Sequence, residues 1–161
     1  MVEIKKGFTL VELLVVVAIL GVLAAVGIVS FGGFLGSAKE NATKTNHSNV
    51  VSFIQTYWLK CTLEPKTYED LVNSSKQKTS VDCVTENSWE HKFHNHFEGS
   101  GWVNPFNIDD RAVYMEYNDN IPSTLGQTNI RYFHNENKIT IKTRWGTEDN
   151  ETISNTIYKE F

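Results

Sequence analysis

Proline is missing before Pro65, and charge is missing from Leu13 to Ala38, a run of 26 residues. The first absence removes the residue that breaks or kinks a helix most sharply. The second excludes a water-facing helix, because no polar side is left to meet solvent. Basic residues do not outnumber acidic ones: 15 Lys and Arg stand against 19 Asp and Glu, a formal charge of -4. That balance excludes a strong, non-specific grip on nucleic-acid phosphates, which needs a basic face. Cysteine occurs twice, as Cys61 and Cys83, both beyond the apolar run. A pair in a small exported domain forms a bridge, here closing a loop whose restraint is worth about 3 kcal/mol. Two unpaired thiols in a cytosolic protein would be the other reading, and the apolar run weighs against it. Signatures of catalysis are missing as well. There is no G-x-S-x-G elbow, no H-E-x-x-H and no phosphate-binding glycine loop, and the chain is not read as an enzyme.

What is present starts with that run. As a helix, Leu13–Ala38 would extend about 39 Å at about 1.5 Å per residue, more than the hydrocarbon core of about 30 Å. Lys5 and Lys6 precede it, and positive charge stays on the cytoplasmic side. Everything after Ala38 then lies outside, where a disulfide can form. Glu12 is the misfit, a carboxylate beside an apolar run that costs energy unless something pairs with it. A cleaved secretory signal, with "VLAAVG" supplying small residues at the cut, gives Glu12 no task. A plain membrane anchor gives it none either, beyond snorkelling to the headgroups.

The run "KKG" followed by "FTLVE" resembles the prepilin signature of type IV pilins, pseudopilins and related filament subunits. The resemblance covers the stretch from Lys5 to about Ala38. It implies cleavage between Gly7 and Phe8 by a prepilin peptidase and N-methylation of Phe8. It also implies that the apolar helix is retained, first as an inner-membrane anchor and then as the filament core. In such filaments the carboxylate at the place of Glu12 pairs with the terminal amine of a neighbouring subunit, so Phe8 and Glu12 would set register. An ion pair in a bundle that excludes water can fix axial position in this way. Many members carry a kinking proline in this helix; here Gly21, Gly27, Gly32, Gly33 and Gly36 would have to supply any softness. The expected product is a structural subunit of an extracellular type IV pilus serving adhesion, motility or DNA uptake. Its partners would be copies of itself, the peptidase and the assembly machinery, with DNA or a surface receptor left open. A type II secretion pseudopilin is the alternative, and a membrane-tethered binding protein the remote one. No cofactor is implied.

The expected organisation is a leader at 1–7, a membrane and filament-core helix at 8–38, its continuation on the head at 39–61, and a globular head at 62–161. The fold class is α+β, a long N-terminal helix running into a head with an antiparallel sheet, the pilin fold. Ala38, Ala42, Thr45, Asn49, Phe53 and Tyr57 recur at helical spacing, with Val50, Ile54 and Cys61 widening the face. "KTYEDLV" reads as a short helix capped by Thr67 with Asp70, and "NSSKQKTSVDCVTEN" as loop. "AVYMEY", the hairpin "NIRYFH"–"KITIKTRW" and "TISNTIYKEF" read as strands of an antiparallel meander. In the hairpin Ile139 and Ile141 take one face; Lys138, Thr140 and Lys142 take the other. A Cys61–Cys83 bridge would differ from the C-terminal disulfide of many type IV pilins.

Three imidazoles, His91, His94 and His96, are weak candidates for a metal site, since zinc takes such ligands. Their spacing fits no established pattern, and the segment reads as a solvated loop. The acidic runs at Asp109–Asp110, Asn118–Asn120 and Glu148–Glu151 could offer oxygens to calcium but are explained by turn chemistry. Trp89, Trp102, Trp145, Phe97 and Phe106 are expected mostly in the core.

Overall fold

The computed structural model describes residues 7–161, so Lys5, Lys6 and the rest of the expected leader before Gly7 lie outside the described residues. Helix α1 spans Leu10–Leu63. It stops where Pro65 disfavours helical geometry in the residue before it, and Glu64 N–H closes the last turn on the Lys60 carbonyl. Then follow β1 (Thr67–Val72), β2 (Lys78–Asp82), α2 (Trp89–Gly99), β3 (Val113–Tyr114), β4 (Thr128–Phe133), β5 (Lys138–Arg144) and β6 (Thr152–Tyr158). The chain divides into two compact units, one reaching to Ala38 and the other running from Lys39 to Phe161. The fold is α+β, a long apolar helix leading into a head built on antiparallel sheets.

In the second unit β1 and β2 form a hairpin, and a four-stranded sheet has the order β3-β4-β5-β6. The β4–β5 and β5–β6 pairs are antiparallel. Only β3 departs from the expected meander, pairing parallel to β4 through two residues. The turn from β4 to β5 places Asn137 at φ 47°, a left-handed conformation that asparagine tolerates. Ile139 and Ile141 are buried as expected, with Thr143 beside them on the same face, but Thr140 on the opposite face is buried as well. The other face of the sheet is therefore covered too, by the 116–122 segment. Asn129 accepts the Glu116 N–H and donates to the Asn118 and Asn120 carbonyls, while Thr140 donates to Asp119 Oδ1.

Three expectations are corrected. "KTYEDLV" is strand β1, because neither capping residue serves a helix. Thr67 Oγ1 donates across the hairpin to Asp82, and Asp70 is taken by the Tyr57 hydroxyl and the Lys60 ammonium of α1. The stretch read as loop contains β2, paired to β1 in antiparallel register. The imidazole segment is helix α2, whose Trp89, Phe93 and Phe97 recur every four residues and are almost wholly buried. The buried stripe of α1 in this unit also differs. It runs through Thr43, His47, Val50, Ile54, Tyr57, Trp58 and Cys61, leaving Ala42, Thr45 and Asn49 exposed. Polar side chains can hold its first turns because each is satisfied: Thr43 Oγ1 donates to the Lys39 carbonyl, and His47 reaches Thr143 and Asn155.

The core lies where this stripe meets α2 and the sheet. Tyr57 and Trp58 pack edge-to-face or tilted on Trp89 and Phe93 at centroid distances of 5.7 to 6.3 Å, and Trp89 stacks on Phe93 at 5.4 Å, over Ile130, Ile139 and Ile141. Each fully buried large side chain contributes about 1.5–3 kcal/mol by leaving water. Cys61 and Cys83 form a disulfide, with Cα atoms 5.5 Å apart and both residues fully buried.

The end of α2 is packed against the end of β1 so tightly that a Cβ on Gly99 would stand 2.0 Å from the Asn73 carbonyl oxygen. That neighbour is backbone and cannot swing aside. Gly99→Ala should therefore lower the stability of the head by about 1–3 kcal/mol, read as a lower midpoint in thermal unfolding followed by near-ultraviolet circular dichroism. An unchanged midpoint would show that the contact is loose in solution.

Candidate assembly site

Helix α1 opens on a reciprocal pair. Thr9 precedes the first helical residue; its backbone N–H and hydroxyl donate to Glu12 Oε2 at 2.9 and 2.8 Å, and its Oγ1 accepts the Glu12 N–H at 3.2 Å. This is a capping box, which satisfies amides that a helix start otherwise leaves unpaired. The carboxylate also sits at the positive end of the helix dipole, where a negative charge is favoured. Glu12 is thus neither bare nor ion-paired: the ion pairs among the described residues all lie between Lys60 and Lys142. The spacing Thr9-x-x-Glu12 before an apolar run is the sequence signal for such a cap. The reading of Glu12 as an intersubunit partner passes over it.

Around this cap the surface is apolar and uncovered. Phe8 is 84% exposed, and Leu10, Leu14, Leu20, Val26, Phe31 and Phe34 are all exposed as well. An 18-residue window of α1 has a mean hydropathy of 3.0 and none of it is buried. The helix is long and apolar enough to cross a membrane. A contiguous apolar surface of this extent marks a site of association with lipid or protein.

The other candidates disperse. His94 Nδ1 donates to the Val113 carbonyl, His96 Nδ1 accepts the Val72 N–H, and His91 lies beside Glu90 at 4.0 Å. The first two are tied to packing between elements, and among the described residues no group of three His, Cys, Asp or Glu side chains is placed to hold a metal. Burial pushes His47, His94 and His96 below the ordinary imidazole pKa. In the run at Asn118–Asn120 a protein cation occupies the oxygens, since Lys142 Nζ donates to the Asp119 carbonyl at 2.7 Å and meets its carboxylate at 2.8 Å. The Asp109–Asp110 and Glu148–Glu151 runs make turns, with Asn107 Oδ1 accepting the Asp109 N–H and Glu151 Oε2 the Glu148 N–H. Trp89 and Phe97 are core, Trp102 packs against it, and Trp145 lies under the Lys44 ammonium at 3.4 Å. Among the described residues of the second unit, the exposed aromatic rings are tyrosines, Tyr114, Tyr117 and Tyr158.

Comparison with known proteins bears on the first of these sites. Residues 4–28 match the family model for the prokaryotic N-terminal methylation motif. Over 42 residues the chain is 50% identical to the type IV major pilin protein PilA of Myxococcus xanthus (strain DK1622), covering 26% of this chain and 19% of that protein. A type IV major fimbrial protein FimA of Dichelobacter nodosus is 33% identical over 68 residues, 42% of this chain and 41% of its own length. A second FimA of that organism is 33% identical over 64 residues, 40% of this chain and 38% of its own. The matched stretch thus spans less than half the length of each of these relatives. No solved structure matches the chain.

Proposed function

We propose that this chain, whose N-terminal segment carries the methylation motif found with type IV pilins, is a pilin: a non-enzymatic subunit that polymerises through its first helix. The observation that carries the reading is a capped carboxylate, Glu12, at the head of a helix whose apolar surface is exposed among the described residues. A prepilin peptidase would cut between Gly7 and Phe8, freeing an amine to be methylated four residues before Glu12. The helix would anchor the subunit in the inner membrane with its amino end cytoplasmic, then leave lipid for the filament core on an extracellular pilus. There Glu12 would face the Phe8 amine of a neighbour, and the disulfide-bonded head would form the outer surface.

The test is mass spectrometry on filaments sheared from intact cells, searching for an N-terminal peptide that begins at Phe8 and carries one added methyl. The expected result is that peptide, abundant in the sheared fraction. The same peptide confined to the cell envelope would transfer the reading to a secretion pseudopilus. A chain left uncut, or cut near Ala25, would overturn it.

A further inference from the structure

One imidazole ties the tip of the β1–β2 hairpin to α2. The Val72 N–H, at the end of β1, donates to His96 Nδ1 at 3.2 Å. A backbone N–H can only donate, so this bond exists only while Nδ1 is bare. The half-buried ring cannot turn freely, because it is stacked on Phe53 of α1 with centroids 4.6 Å apart and planes 16° from parallel. The next residue of the hairpin, Asn73, is the one pressed against Gly99.

The other two buried imidazoles are built differently. His47 meets Thr143 Oγ1 at 2.8 Å and Asn155 Oδ1 at 2.7 Å. A hydroxyl can donate or accept, so a second proton there need break nothing. His94 donates from Nδ1 to the Val113 carbonyl and has Glu98 Oε2 3.8 Å from Nε2, where a proton would be welcome. At His96 alone among the three, a fixed donor faces the nitrogen that would be protonated.

We propose that His96 is an acid-sensitive latch, whose protonation releases the Val72 amide and loosens the hairpin tip from the C-terminal end of α2. The charged groups around the ring set the balance. From β1, Asp70 favours the imidazolium, but its carboxylate is already engaged by Tyr57 and by Lys60 of α1. From α2, Lys92 stands one turn earlier and is directed to Glu86 and the Ser80 carbonyl. Burial outweighs Asp70 and holds the ring below its ordinary pKa. The open tip, with a solvated ring, therefore takes up a proton more readily than the closed one. The latch is fully closed above about pH 6.5 and weakens as the pH falls through that value, until the closed ring itself protonates.

Amide hydrogen exchange on the full chain in detergent micelles reads this directly. Between about pH 7.5 and about pH 5, the protection of the Val72 amide, corrected for intrinsic exchange, is expected to fall about fivefold, the equivalent of one typical hydrogen bond. The amides of Ile139 and Ile141, in the middle of the sheet, should keep theirs. His96→Asn sets a non-titrating amide oxygen near the place of Nδ1, so Val72 protection should lose its pH dependence. An equal fall in His96→Asn, or no fall in the native chain, would overturn the latch. Ring nitrogen shifts of the native protein give a check that needs no variant: a neutral His96 protonated on Nδ1 instead of Nε2 would overturn it too.

Discussion

Glu12→Ala should leave cleavage at Gly7–Phe8 intact and remove filaments from the cell surface. Two separate losses are involved, and their sizes differ. Within one chain the variant loses the carboxylate half of the capping box with Thr9, a local loss confined to the exposed first turn of the helix. In the proposed filament it also leaves the Phe8 amine of a neighbour without a partner in a water-free bundle, a cost of about 3–5 kcal/mol. Each 1.4 kcal/mol is about tenfold in an association constant, so the second loss suppresses assembly more than about a hundredfold, and the first, being local to one helix end, far less. Glu12→Gln separates them, since its amide oxygen can still accept from Thr9 but carries no charge. If pairing sets register, the glutamine variant is also processed and also bare of filaments. Normal filaments from Glu12→Gln would show that the cap is what matters. Normal filaments from Glu12→Ala would sink both accounts. The readout is immunoblotting of cell and sheared fractions beside electron microscopy.

Removing the bridge, by Cys61→Ala with Cys83→Ala, should cost the head about 3 kcal/mol and lower its melting midpoint by about 10 °C. The bridge joins the last turn of α1 to the residue after β2, across a sequence separation of 22. Between those anchors lies the β1–β2 hairpin, which meets the core chiefly through Leu71 and Val81 and would be the first element freed. Calorimetry of the full chain in detergent, with and without reductant, tests this. A midpoint that moves by less than about 3 °C would mean that hairpin packing alone restrains the loop.

The parts of the head legible in the sequence are those whose partners are sequence neighbours. The β4–β5 hairpin could be read because its strands alternate and are joined by a short turn. Helix α2 is signalled by Trp89, Phe93 and Phe97 at helical spacing, but His91, His94 and His96, flanked by Glu90 and Glu98, make the same segment read as a solvated loop. The strand β1 was not legible at all. Its Thr67 and Asp70 stand at capping distance, and what decides against a helix is Tyr57 and Lys60 reaching Asp70 from α1.

The same division holds for the sites. The amino acids alone determine the apolar span, the place of Glu12 and its cap by Thr9, because a helix start and its first turn are local. Only the tertiary structure decided that Asp119 meets a lysine ammonium, that His47 is sealed against the sheet, and that His96 faces a backbone amide. Each of those outcomes depends on which residues, distant along the chain, the packing of the aromatic core brings within a hydrogen bond of one another.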